Sequence, residues 1–331
     1  MPKRLIGIFL ILCIVFTITG CNILNFTEKG KSEQKDTIEE NQVNLRKTVL
    51  YYVNENNLLV PVTKNIPWVE GIAKATIENL IDKAEIREHL KGKGLMPTLP
   101  ENTKLLGMTI RNGVAKVDFS REFLNFKDKT AEKTAILSLV YTLTEFPTIN
   151  KVELLVEGKP LKKCPFGTQL NPQLERENIN LESKEQNINN VQKVTLFFKG
   201  VNKEGTFSYY VPVTRFVKNT DNLMKTALQE LIKGPKPNMG LTAVIPKETK
   251  VLSVVKKDNE VIANFSKELE NFGGGLENEQ AIVNSIVLTL TAFEGVDKVT
   301  IQVEGNKTVL SEGTVLDTPI LKPLFVNPES I

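Results

Sequence analysis

The amino-acid sequence predicts an α+β protein built from two tandem copies of one repeat. The first observation is a duplicated helix, in which VYTLTEF at residues 140–146 recurs 147 positions later as VLTLTAF at 287–293. Around each copy, apolar residues recur at spacings of three, one and three, which places them on one helical face. The second observation is that the same series of strand-like runs surrounds both helices. Because an amphipathic helix must bury its stripe, each copy indicates a folded repeat with a core.

Each repeat opens with a predicted β-hairpin, over residues 49–63 in the first copy and 195–214 in the second. The second strand of each hairpin contains a proline, Pro61 or Pro212. Because proline has no N–H to donate to a ladder, this strand is expected at a sheet edge. An amphipathic helix follows in both copies, and in the first copy it is expected to run on through residues 84–89, where the second copy has no counterpart.

Two further strands follow, joined in the first repeat by Asn112-Gly113, which is a strong hairpin signal between apolar runs. The duplicated helix and a final strand ending in Val-Glu-Gly complete the order β-β-α-β-β-α-β. That order predicts a two-layer α+β sandwich, with the helices on one face of a sheet. The predicted organisation is a signal peptide over 1–20, a flexible tether over 21–47, a first domain over 48–170, a linker over 171–192, a second domain over 193–320 and a tail over 321–331.

Residues 171–192 are rich in Asn, Glu and Gln and contain few apolar side chains. Such a composition is typical of a flexible linker, since it offers little surface to bury. The sequence therefore predicts two similar domains on a flexible string.

The first twenty-one residues have the pattern of an export signal. Lys3 and Arg4 precede an apolar run over 5–18 that is shorter than the roughly 20 residues a membrane span needs. The run ends in Ile-Thr-Gly-Cys, which resembles the lipobox of bacterial lipoproteins and implies a diacylglyceryl thioether on Cys21. The alternative, a plain anchor with an incidental cysteine, is disfavoured because Cys21 directly ends the run. We expect a protein anchored by this lipid to the outer side of a cell membrane, without spanning it.

Composition argues against a nucleic-acid partner. The chain carries 42 basic and 39 acidic side chains, and without Lys3 and Arg4 of the signal the balance is 40 to 39. A nucleic-acid-binding protein would be expected to show a basic face, which this balance does not suggest.

No residue pattern in the sequence predicts catalysis, a cofactor or a metal site. His89 is the single histidine, and Cys164 is the one cysteine left after the signal and Cys21, so no disulfide is expected. Trp68 could be a binding anchor, although a packing role is more common. Glu157 and Glu304 precede glycine in both repeats and are interpreted as turn residues. The protein is therefore not expected to be an enzyme.

The repeat resembles the GerM family of sporulation and spore-germination lipoproteins, which carry two GerMN domains. The resemblance rests on the lipobox at Cys21, the segments GLMPTLP and GLTAVIP, the strands ending VDFS and ANFS, the Leu-Thr-x-Phe helices and the Val-Glu-Gly strands. It implies a fold similar to ring-building domains, which associate side by side in the channel between forespore and mother cell. It further implies a non-enzymatic assembly or localisation factor in that intermembrane space, with protein partners in the envelope or channel assembly.

A second hypothesis is an extracytoplasmic binding module for peptidoglycan or another cell-wall ligand. It is disfavoured because no aromatic-lined motif is visible, and a hydrolase is disfavoured further because the chain has one histidine. The interaction surface stays open at this point, since edge strands and helix faces are both candidates.

Overall fold

The computed structural model describes residues 45–67, 69, 71–182 and 190–329. Cys21 and Trp68, named above as lipidation site and candidate anchor, lie outside this range, as do the predicted signal and most of the tether. Within it, no helix has the length and apolar character needed to cross a membrane. The described residues form one compact unit that contains both repeats.

The first repeat contains seven strands and three α-helices among the described residues. They are β1 (Leu45–Asn54), β2 (Leu59–Pro67), α1 (Ile72–Glu78), α2 (Ala84–Lys91), β3 (Leu95–Met96), β4 (Leu105–Arg111), β5 (Val114–Phe119), α3 (Lys129–Leu143), β6 (Lys151–Val156) and β7 (Lys159–Pro160). The expected extension of the first helix is instead a separate helix, α2. The chain leaves the helix after α1 because Ile81 forms a bridge with Leu99.

The second repeat follows the same order without a counterpart of α2. Its elements are β8 (Val191–Val201), β9 (Ser208–Lys218), α4 (Leu223–Lys233), β10 (Leu241–Thr242), β11 (Val251–Lys257), β12 (Glu260–Phe265), α5 (Gly275–Thr291), β13 (Lys298–Val303) and β14 (Ile320–Leu321).

The strands of each repeat form two sheets. Their orders are β2-β1-β3 and β4-β5-β6-β7 in the first repeat, and β9-β8-β10 and β11-β12-β13-β14 in the second. The β5–β6 and β12–β13 pairs are parallel, and the other pairs are antiparallel. The α+β class, the tandem repeat and the edge position of the proline-containing strands β2 and β9 are thus confirmed.

The layering differs from the expected arrangement of helices on one sheet face, because each duplicated helix packs against both sheets of its repeat. Helix α3 contacts β1 and β6, and α5 contacts β8 and β13. Both helices are buried on nearly all sides, including hydroxyl side chains that an amphipathic helix would turn to solvent.

Those buried hydroxyls bind the backbone of the central hairpin strand. In the first repeat, Ser138 Oγ donates to Tyr51 O at 2.6 Å and Tyr51 N donates to Thr142 Oγ1 at 3.0 Å. In the second, Phe197 N donates to Thr289 Oγ1 at 3.0 Å. The short strands β3 and β10 pair with only two residues each of β1 and β8. The helix therefore covers a further part of the same edge of β1 and β8, where backbone groups would otherwise have no partners.

Of the predicted linker, the structure describes residues 171–182 and 190–192, and part of this range is packed rather than flexible. Leu174 is 8% exposed and belongs to the apolar cluster that spans both repeats, while Ile179 is 2% exposed and packs in a second, smaller cluster with Tyr51, Leu59 and Tyr141. A few apolar residues fix these described positions, and averaging the composition over the stretch hides them. The domain boundaries given above stay a prediction.

Candidate interaction site

The two repeats meet where the edge strands β2 and β9 approach each other. Asn180, in the segment after the first repeat, lies between these strands. Its Oδ1 accepts from Leu59 N at 2.8 Å, and its Nδ2 donates to Leu59 O at 2.8 Å and to Pro212 O at 2.7 Å. One side chain thus satisfies backbone groups of both strands.

Asn327, in the tail after the second repeat, makes the reciprocal set of bonds. Its Oδ1 accepts from Tyr210 N at 2.7 Å, and its Nδ2 donates to Tyr210 O at 2.8 Å and to Pro61 O at 2.7 Å. Tyr210 and Pro61 match Leu59 and Pro212 in the repeat alignment. The junction therefore has an approximate two-fold relation, and we call these two residues the asparagine clamps.

Both clamps have a left-handed backbone, with φ of 47° at Asn180 and 49° at Asn327. Asparagine tolerates this conformation better than most residues with a side chain. The turn directs the amide between the strands while each tail continues along the other repeat. Glu182 N donates to Thr214 O at 3.3 Å, and Glu329 N donates to Thr63 O at 3.0 Å.

Sequence reasoning missed both clamps, although a signal was present. Asn180-Leu181-Glu182 and Asn327-Pro328-Glu329 share the pattern Asn-x-Glu and are 147 positions apart, which is also the offset of the duplicated helices. The repeat therefore extends beyond the final strand of each domain, into segments that composition assigned to a linker and a tail.

A buried ionic cluster supports the first clamp. Glu182, whose side chain is 1% exposed, accepts from Arg215 Nε at 2.6 Å and from Nη2 at 2.7 Å. The same guanidinium donates to Glu230 Oε2 at 3.0 Å and to Gly234 O at 2.8 Å. A bidentate pair of this kind is specific in geometry as well as in charge.

The second clamp has a different ionic partner set. Glu329 is bound by Lys93 Nζ at 2.6 Å and by His89 Nε2 at 2.7 Å, and its side chain is 11% exposed. Burial opposes ionisation of this carboxyl, but the hydrogen bonds from Lys93 and His89 outweigh it and hold the pKa of Glu329 below its usual value. His89, the single histidine of the sequence, is half-exposed and helps to fix the tail through this bond.

A groove of about 760 Å³ lies beside the clamps and is lined by both repeats. On its first-repeat side, Glu145 Oε1 accepts from Tyr51 OH at 3.0 Å and from Arg176 Nη2 at 2.6 Å. Burial raises the pKa of Tyr51 well above its usual value, and the Glu145 carboxylate adds to this. The repeat-matched positions Phe197, Leu288 and Ala292 make the other side apolar.

The other residues singled out from sequence do not join this site. Cys164 is 2% exposed, and burial together with the nearby Glu132 carboxylate raises the pKa of its thiol to about 12. Glu157 and Glu304 have φ of 50° at the turns after β6 and β13, as interpreted from sequence. Among the described residues, no group of three or more His, Cys, Asp or Glu side chains could hold a metal ion.

Each repeat carries one buried carboxylate that sequence reasoning also missed. Glu132 accepts from Phe166 N at 2.6 Å and Thr168 N at 3.0 Å, and Glu279 makes the matching bonds in the second repeat. These carboxylates are fully buried and fix the loop that follows the last strands, so their role is structural.

Comparison with known proteins places this architecture in one family. A family model described as "Germane: Sporulation and spore germination" matches residues 49–162 and 195–309. The chain belongs to the Germane family. A curated relative, "Spore germination protein GerM" of Bacillus subtilis (strain 168), is 34% identical over 316 residues, which is 92% of this chain and 84% of the relative.

A solved structure has the same tandem arrangement of domains. "Tandem GerMN domains of the sporulation protein GerM from Bacillus subtilis" matches with a TM-score of 0.75 and 32% identity, over 85% of this chain and 99% of that one. The two repeats of this Germane protein are thus tandem GerMN domains, and the resemblance drawn from sequence is confirmed.

Proposed function

We propose that this protein is a non-enzymatic assembly or localisation factor of an envelope complex in sporulation or spore germination. It is held on the outer side of a membrane by lipid on Cys21 and acts through protein–protein contacts of its two GerMN domains. Membership of the Germane family supports the process. The non-enzymatic role is supported by the engagement of the reactive side chains: Glu329 holds His89, and Cys164 is buried.

The observation that carries the proposal is an exposed leucine repeated on the edge strand of both domains. Strand β4 has a bulge at Leu106, and β11 has a bulge at Leu252. The two side chains are 53% and 40% exposed. An exposed apolar residue at a strand edge favours pairing with another protein, and the clamps hold the two edges in one unit.

The two edges are not equally open. In the second domain, Lys225 Nζ donates to Leu252 O at 3.1 Å and Asn222 Nδ2 donates to Val254 O at 3.0 Å, so helix α4 covers part of β11. The matching carbonyls of Leu106 and Met108 have no such side-chain donor within the described residues. We therefore assign the main protein contact to β4 and a weaker one to β11.

The test compares Leu106→Glu with Leu252→Glu in sporulating cells. We expect both variants to keep the melting temperature of the parent, because both sites are on the surface. We expect Leu106→Glu to lose more of the co-isolated envelope proteins than Leu252→Glu does. Retention of all protein partners by the double variant would contradict the proposal. Loss of protein partners from the parent, with retention on purified cell wall, would favour the alternative of a peptidoglycan-binding module.

The anchor is tested separately with Cys21→Ala, which should release the protein from the membrane fraction. Unchanged membrane retention of the variant after signal cleavage would refute lipidation.

A further inference from the structure

An exposed apolar and basic patch lies at the end of the folded unit where the preceding chain enters. Strand β1 begins at Leu45, and two adjoining grooves run from there along the tail of the second domain. We call this surface the tether-end patch. Its apolar members are Leu45, Leu321, Leu324 and Phe325, and its basic members are Arg46, Lys47 and Lys322.

The apolar members of the patch are unusually open. Leu324 is 85% exposed, Leu321 is 71% exposed and Leu45 is 53% exposed, so they include the two most exposed large apolar side chains of the described residues. Lys47 Nζ lies 5.3 Å from the ring centroid of Phe325, which places a cation beside this apolar surface. Several exposed apolar side chains close together mark a surface that another phase or molecule covers.

The charge of the patch is positive. The charged residues that line the two grooves are four cations and two acids: Arg46, Lys47, Arg176, Lys322, Glu145 and Asp297. Both acids already have donors, since Arg176 binds Glu145 at 2.6 Å and Asn259 Nδ2 binds Asp297 at 3.0 Å. The remaining character of the patch is apolar and cationic, which is the chemistry of surfaces that bind anionic lipid headgroups.

The patch occurs on only one of the two matching sides of the junction, among the described residues. Counted from the clamps, Leu324 corresponds to Glu177, and counted from the strand pairings Val152–Leu174 and Val299–Ile320, Leu321 corresponds to Glu175. The approximate two-fold relation of the junction therefore places apolar residues at the tether end and carboxylates at the matching position. A shared packing requirement of the two repeats would not produce this difference.

The length of the preceding chain permits contact with a membrane at this end. Twenty-three residues separate Cys21 from Leu45. A chain of that length can reach at most about 80 Å. An anchor at Cys21 would thus hold the tether-end patch within reach of the lipid surface.

We propose that the tether-end patch docks on an anionic membrane surface. In this orientation Leu324 inserts among the headgroups, and the edge strands β4 and β11 project away from the bilayer. This inference rests on the anchored placement proposed above, and it adds an orientation to it. Lipid on Cys21 does not by itself specify which face of the unit meets the membrane.

The test uses the full lipidated chain in vesicles, with an environment-sensitive fluorophore on Leu324→Cys and, as the matched control, on Leu106→Cys. Both sites are exposed, and the native Cys164 is buried, so labelling is selective. In phosphatidylglycerol-rich vesicles we expect a blue shift and quenching by headgroup-labelled lipid at position 324 and neither at 106. Lys47→Gln with Lys322→Gln should lower the ratio of docked to undocked protein, as read at position 324, by about fivefold for each cation removed.

Equal responses at the two positions in vesicle-bound protein would overturn the docked orientation while leaving the anchor intact. A response at position 324 that depends on protein concentration and needs no vesicles would overturn it in favour of a protein interface. Loss of the protein from vesicles at both labels would instead count against the lipid anchor, which Cys21→Ala tests independently.

Discussion

The two asparagine clamps recognise the same backbone groups but are supported by different chemistry. Asn180 is backed by the buried Glu182–Arg215 pair, in which both partners are close to inaccessible. Asn327 is backed by Glu329, whose partners His89 and Lys93 lie on and after α2. Because α2 has no counterpart in the second domain, the insertion in the first domain supplies the side chains that bind Glu329 of the C-terminal tail. The difference shows that the backbone geometry of the clamp was kept while its ionic support diverged.

A charged side chain placed in the shared core should have the largest effect on the free energy of unfolding. Leu143 and Leu290 occupy matching positions on α3 and α5, and both are fully buried. We expect Leu143→Asp to destabilise the whole two-domain unit by more than about 4 kcal/mol, because an unpaired carboxylate enters an apolar core.

The comparison of the two domains makes this result informative. If one core is shared, Leu143→Asp and Leu290→Asp should each abolish the near-ultraviolet circular dichroism of both domains. A variant that leaves the other domain folded would show that the cores are separate. Leu106→Asp, which alters an exposed leucine, serves as the control and should change stability by less than about 0.5 kcal/mol.

Removal of a clamp side chain should have the next largest effect on the free energy of unfolding. Asn180→Ala leaves Leu59 N without its acceptor and places alanine at a positive φ, so we expect a loss of about 2–4 kcal/mol in chemical denaturation. Asn327→Ala should cost a similar amount if the two clamps are equivalent. Asn190→Ala is the matched control, since Asn190 also has a positive φ, of 75°, and its side chain accepts one exposed bond from Asn219 Nδ2, away from the junction. A cost at Asn180 no larger than at Asn190 would show that the clamp bonds contribute no more than one exposed side-chain bond.

Acid should weaken the ionic support of the second clamp, with a smaller effect on stability. The pKa of Glu329 in the folded protein lies below its unfolded value of about 4.3, because the bonds from Lys93 and His89 outweigh burial. Its contribution to stability is therefore present above that pH and is lost as the pH falls through the folded pKa. We expect Glu329→Gln to cost about 1–2 kcal/mol at pH 7 and progressively less below pH 4.3.

The measurement is the melting temperature of the parent and of Glu329→Gln between pH 7 and pH 3. A difference between the two proteins that persists unchanged at pH 3 would contradict the assigned role of the carboxylate.

Periodicity was sufficient to predict the repeat, the α+β class and the edge position of Pro61 and Pro212, because these depend on local spacing and on the missing proline N–H. It could not predict that each repeat has two sheets. The reason is that Ser138 and Thr142 look solvent-facing in sequence, and their burial depends on a strand brought to them from about 90 positions away. Long-range pairing of this kind leaves no local periodic signal.

The junction was missed for another reason. Averaged composition assigned residues 171–192 to a linker, yet Leu174, Ile179 and Asn180 fix most of its described part. The offset of 147 between Asn180 and Asn327 was visible, but its meaning depends on which backbone groups the amides reach. The tether-end patch was equally invisible, since the exposure of Leu324 is a property of the assembled unit.

The central claim is that reciprocal clamps join the two GerMN domains into one cooperative unit. Differential scanning calorimetry of the parent and of the Asn180→Ala/Asn327→Ala double variant tests it most directly. The account predicts one transition for the parent, with equal calorimetric and van't Hoff enthalpies, and two resolved transitions for the double variant. Two independent transitions in the parent, or an unchanged single transition in the double variant, would contradict it.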